Sequence, residues 1–130
     1  GGVCISPWVD LTCSSDSYRT KSEADPVIVY EDIQWLASLY LDGRDPKTPL
    51  ASPLFANLEQ LPPLLIQVGS EEVLLDDAVE LDKRAREAGV NSTLEVWEDM
   101  IHVWHVFFQM LQEGRDGIAR IGEYFKSRVS

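Results

Sequence analysis

Apolar residues fall into three short runs separated by stretches of helical periodicity, and that alternation sets the expected fold. Residues 3–6 (Val3, Cys4, Ile5, Ser6) show no polar alternation and are stopped by Pro7, as expected of a strand buried on both faces. Leu64, Leu65, Ile66, Gln67 and Val68 form a second such run ended by Gly69, and residues 93–97 read as a third strand. Between the first two runs, Ile33, Leu36, Ala37, Tyr40 and Leu41 follow helical spacing with Gly43 as the stop. Ala78, Leu81, Ala85 and Ala88 stand at i, i+3, i+7 and i+10, one face of a second helix. Its early acids Asp76 and Asp77 complement the macrodipole, and Gly89 closes it. Residues 103–111 read as helical, and Ile118, Ile121, Phe125 and Val129 mark a last helix with Lys126 and Arg128 near its C-terminus.

The connections differ in character. Residues 9–26 are polar, with Ser14, Ser15, Asp16 and Ser17 clustered, which predicts a loop or short helical turns. Residues 44–63 hold Pro46, Pro49, Pro53, Pro62 and Pro63, a density that forbids a long regular element and predicts an ordered surface connection. An order of strand, helix, strand, helix, strand, helix, helix implies an α/β fold of parallel strands joined by right-handed crossover helices. Three strands make a poor independent sheet, and no crossover helix precedes the first. Residues 1–130 are therefore expected to be the C-terminal portion of one larger α/β domain.

Composition narrows the function classes. With 45% apolar residues and 25% charged ones in 130 residues, the chain can bury a core and is not disordered. Twenty-two acids against 11 basic residues give a net charge of -11, which disfavours nucleic acid and anionic membrane surfaces as partners. Stable membrane insertion is not expected, because no apolar run approaches the roughly 18 residues it requires. The first residues lack the basic start of a signal peptide and only Cys4 and Cys13 occur, so a cytoplasmic, reducing compartment is expected, with a disulfide disfavoured.

Ligands of open parallel sheets gather beyond the carboxyl ends of the strands. Acids follow the second strand in residues 69–77, and His102 and His105 follow the third in residues 98–105. Two consecutive strand ends can thus present a carboxylate to an imidazole, and an acid that orients a histidine is two-thirds of a nucleophile triad. Other polar residues read more plainly. His102 and His105 lack the third and fourth ligands of a zinc site; His105 is expected to pack or cap, and Asp10 to form a turn. Glu80–Arg84 and Asp82–Arg86 are i, i+4 pairs of a solvated helix face.

Five segments carry a more specific resemblance: Ser6-Pro7-Trp8 with Asp10; Ser52-Pro53-Leu54-Phe55; Leu61-Pro62-Pro63 entering a strand; residues 69–77; and Met100-Ile101-His102. In this order and spacing they resemble the C-terminal half of the hormone-sensitive-lipase-like α/β-hydrolases, the bacterial carboxylesterases, over essentially the whole chain. In that family the triad runs Ser, acid, His along the chain. The resemblance matches His102 to the general base and Glu72 to the acid, where the family usually has Asp; Glu71 and Asp76 remain rivals. It places Val27, Ile28 and Trp35 near the acyl pocket as substrate-binding residues. Val103 stands where the family has glycine, which narrows the space beside the imidazole.

The chain contains neither Gly-x-Ser-x-Gly nor His-Gly-Gly-Gly, the nucleophile elbow and oxyanion-hole motifs, which the family carries upstream. The resemblance therefore implies a hydrolase of carboxylic esters, with short-acyl, small-molecule substrates, no cofactor and no metal, whose serine lies outside these residues. The segment alone is expected to be inactive. A non-catalytic interaction module, or pseudo-enzyme on the same scaffold, is the alternative from another class. The edge strand at 93–97 is expected to offer a homodimer contact.

Overall fold

The computed structural model describes residues 1–128. Its centre is a parallel sheet in the order β1 (Gly2–Ile5), β2 (Leu64–Gly69), β3 (Ser92–Trp97). Cys4 lies opposite Ile66, and Ile66 opposite Leu94. β2 is buried along its whole length, which is why its sequence, Gln67 apart, runs apolar without alternation.

The first crossover contains α1 (Ser17–Thr20), α2 (Tyr30–Leu41) and a single 3-10 turn at Pro53–Phe55; the second is α3 (Leu75–Glu87). The proline-rich stretch is otherwise irregular, as its lack of N–H donors dictates. α2 ends where Asp42 and Gly43 turn left-handed, at φ 46° and 78°. After β3 the chain makes a 3-10 turn at Trp104–Phe107 and enters α4 (Gln112–Lys126).

Leu64, Ile66 and Val68 of β2 pack against Ala78, Leu81 and Ala85 of α3, with Val9 and Leu54 closing the layer. Alanines on α3 let the helix lie close to the sheet, and each large side chain buried there contributes about 1.5–3 kcal/mol. On the opposite face, the Gln67 amide reaches the Gly117 carbonyl of α4 at 3.4 Å, so helices cover both faces as a parallel sheet requires.

Three expectations change. Residues 103–111 do not form an α-helix: Val103 is left-handed, and the buried Trp104 donates its indole N–H to the Glu113 carbonyl, turning the segment back toward α4. Val106, Phe107, Phe108 and Met110 are consequently exposed instead of sharing a buried face. α4 begins earlier than its apolar spacing indicates, at Gln112, while Val129 lies outside the described residues. Asp82 is not simply solvated, because it accepts the Ser92 hydroxyl at 2.7 Å while pairing with Arg86. No helix among the described residues is long and apolar enough to cross a membrane.

Candidate active site

Three strand ends converge on one carboxylate. Glu72 follows β2 and is fully buried. Its Oε2 lies 2.9 Å from Nδ1 of His102, carried by the loop after β3. Its Oε1 accepts the Gly69 N–H at 2.6 Å and the hydroxyl of Ser6, just past β1, at 2.9 Å. Three donors thus surround an acceptor-only group, which fixes the carboxylate plane and compensates its burial.

The two loops are tied together by their backbones. Ser70 N–H donates to Trp97 O, Glu71 N–H to Met100 O, and Asp99 N–H to the Ser70 hydroxyl. Met100 passes so near β2 that a Cβ on Gly69 would overlap its carbonyl oxygen; the glycine is required by close approach. Ser6, Asp99 and Val103 all have positive φ without being glycine, at 44°, 58° and 51°. Such strain persists only where surrounding contacts over-determine the backbone, and it clusters at functional sites.

The rival acids are engaged elsewhere. Asp76 accepts the Ser17 N–H at 2.8 Å and donates its own N–H to the Ser17 hydroxyl. Glu71 pairs with Lys21 at 3.1 Å, and that hydrogen bond holds its carboxyl below the usual range. Of the three, Glu72 is the acid that meets His102.

The His102 side chain is 17% exposed and borders a cavity of about 410 Å³ lined by Trp8, Val27, Ile28, Leu36 and Leu74. Asp32 and Ser6 add polar edges. Asp25 fixes one wall: Oδ1 accepts the N–H groups of Val27 and Ile28, and Oδ2 accepts that of Val73, the residue after Glu72. Trp35 does not reach this cavity. It is 60% exposed: α2 buries Ile33, Ala37 and Leu41 and lines the cavity with Asp32, Ile33 and Leu36, and Trp35 falls outside both stripes. A larger groove of about 740 Å³ lies along β3 and α4, away from His102, with Glu95 and Arg120 paired within it at 2.6 Å.

The two histidines diverge. His105 is buried, bonds Gln67 Oε1 through Nε2 at 2.8 Å and stacks on Trp104 with ring centroids 4.0 Å apart. Burial pulls its pKa down, consistent with a packing role. Among the described residues no cluster of three His, Cys, Asp or Glu side chains forms a metal site. Ser6 and Asp25 are the site residues that the sequence pattern left without a role. Their signals were the place of Ser6 in the Ser6-Pro7-Trp8 segment at the end of an apolar run, and that of Asp25 just before a proline.

Known proteins share this arrangement of chain. A family model described as alpha/beta hydrolase fold matches residues 1–106. An acetyl-hydrolase of Streptomyces hygroscopicus is 47% identical over 125 residues, covering 96% of this chain and 42% of that protein. An esterase of Acinetobacter venetianus is 35% identical, covering 98% of the chain and 42% of the relative. The crystal structure of an esterase from the bacterial hormone-sensitive lipase family superposes with a TM-score of 0.96 at 50% identity, over 99% of this chain and 43% of that one. The chain thus spans less than half the length of these proteins.

Proposed function

The chain belongs to the α/β-hydrolase family, in its hormone-sensitive-lipase-like branch, and from that membership we propose that it supplies the acid and base of a serine carboxylesterase. The observation that carries the reading is the contact between Glu72 Oε2 and His102 Nδ1 beside an apolar cavity. With Nδ1 engaged by the acid, Nε2 is left as the proton acceptor.

In this reading, residues 1–130 are the C-terminal portion of one domain, and a serine from its N-terminal portion attacks the ester carbonyl. His102 Nε2 takes the hydroxyl proton as the C–O bond forms, then returns it to the departing alkoxide. Water repeats the cycle on the acyl-enzyme. Glu72 fixes the tautomer and stabilises the imidazolium while that charge exists. Glutamate serves as well as aspartate, since its extra methylene changes reach and not charge. Donors from the N-terminal portion would hold the oxyanion.

The cavity walls of Val27 and Ile28 accept the acyl chain, and the relative named an acetyl-hydrolase supports a short one. Among the described residues β3 is an edge strand, and pairing across its outer edge would join two copies about a two-fold axis; sedimentation as a monomer at working concentration would overturn that contact. The central test uses the full-length enzyme containing this segment. His102→Ala should abolish most turnover of a short-chain nitrophenyl ester, and an unchanged rate would overturn the assignment.

A further inference from the structure

We propose that Ser6 is a positioning residue for the Glu72–His102 pair, a role that rests on the esterase reading above. Its hydroxyl donates to Glu72 Oε1 at 2.9 Å and accepts the backbone N–H of Val103, the residue after His102, at 3.1 Å. One oxygen thus ties the end of β1 to the acid after β2 and to the histidine loop after β3. Ser6 is 4% exposed, so water competes little for either bond.

The need for this tie follows from the acid itself. A glutamate side chain has one torsion more than an aspartate, and its last torsion is soft and broadly populated. Oε2 faces the imidazole only if that torsion is held. The Gly69 N–H and the Ser6 hydroxyl hold it from the Oε1 side. Ser6 pays for its place with a left-handed backbone at φ 44°, a conformation retained where a local contact demands it. The hydroxyl is not a candidate nucleophile in this arrangement, because its proton is directed at Glu72 and not at His102 Nε2.

The test compares Ser6→Gly and Ser6→Ala in the full-length enzyme, glycine being suited to the positive φ. Loss of a hydrogen bond to a charged group should lower kcat about tenfold or more with KM within about twofold. Acting through the acid, the same substitutions should cost less than about threefold in kcat when Glu72→Gln is already present. Equal losses in both backgrounds, or unchanged kcat in a folded Ser6 variant while His102→Ala is inactive, would overturn the role. Failure of both Ser6 variants to fold would also overturn it, making the hydroxyl a folding element. Turnover that survives His102→Ala would instead overturn the esterase reading and this role with it.

Discussion

His102 reaches Glu72 at 2.9 Å because the loop that carries it crosses directly over Gly69, where the Met100 carbonyl fills the space a side chain would need. The glycine also donates its N–H to Glu72, so one residue both admits the histidine loop and holds the acid. Gly69→Ala should therefore damage two things together. Backbone cannot yield as a flexible side chain would, and a loss of about 3 kcal/mol or more in unfolding free energy is expected. Ester turnover should fall with it. Urea unfolding of the full-length protein measures the first, and a parent-like midpoint would show that the loop does not sit where it is described.

Glu72 and Asp76 can be separated by isosteric amides. Glu72→Gln keeps the volume but offers Nδ1 a poorer partner, and kcat should fall roughly 10²–10⁴-fold with folding retained. Asp76→Asn perturbs only the link to Ser17 and should leave kcat within about threefold. The reverse ranking would transfer the acid's role to Asp76.

Much of this was legible because it is written in local chemistry. The run at 64–68, apolar except for Gln67, read as a buried strand, and Ala78, Leu81 and Ala85 at i, i+3 and i+7 announced a helix lying close to a sheet. That an acid and a histidine could meet followed from position, just past two consecutive strands, while the choice of Glu72 and His102 came from the family resemblance. What escaped depends on non-local contacts. The helical pattern at 103–111 yields to the burial of Trp104, a tertiary override of local preference. The family resemblance placed Trp35 near the pocket, but it is 60% exposed and stands outside the cavity lining, to which α2 contributes Asp32, Ile33 and Leu36. Ser6 and Asp25 work through bonds to residues 66 and 48 positions away, which no local pattern encodes.

The pocket assignment gives a specificity experiment. Ile28→Trp should fill the acyl site and lower kcat/KM for a butanoate ester relative to an acetate ester by about tenfold or more, within the range that apolar pockets discriminate. Trp35→Ala should leave that ratio within about twofold. An equal response from Trp35 would place the acyl chain along the outer face of α2 instead.

Val103 is a β-branched residue held at φ 51° and ψ 43°. A left-handed conformation costs an L-residue about 1–2 kcal/mol, whereas glycine adopts it freely but loses more entropy on folding. Val103→Gly should raise unfolding free energy by about 0.5–1 kcal/mol, while Val103→Ala, which keeps a Cβ, should not. Urea midpoints of the pair decide it, and destabilisation by glycine would mean that the valine side chain contributes packing that outweighs its strain.

Asp77 supplies a pH signature. It is fully buried, and desolvation pushes its carboxyl from 3.8 up to about 6, although the N–H groups of Val9 and Asp10 donate to Oδ2. The buried Tyr18 phenol interacts with the carboxyl without forming a well-aligned bond, and its own ionisation is pushed upward by the same burial. Because the folded state binds this proton more tightly than the unfolded chain, the stabilising contribution is complete below about pH 4. It disappears as the pH rises through about 6. The difference amounts to about 3 kcal/mol. Asp77→Asn keeps an oxygen for the two backbone donors and has no charge to bury. Relative to the parent, the variant should gain about 3 kcal/mol between about pH 4 and pH 8, read from urea unfolding of the full-length protein across that range. A difference that does not change with pH would mean that Asp77 remains ionised in the core throughout.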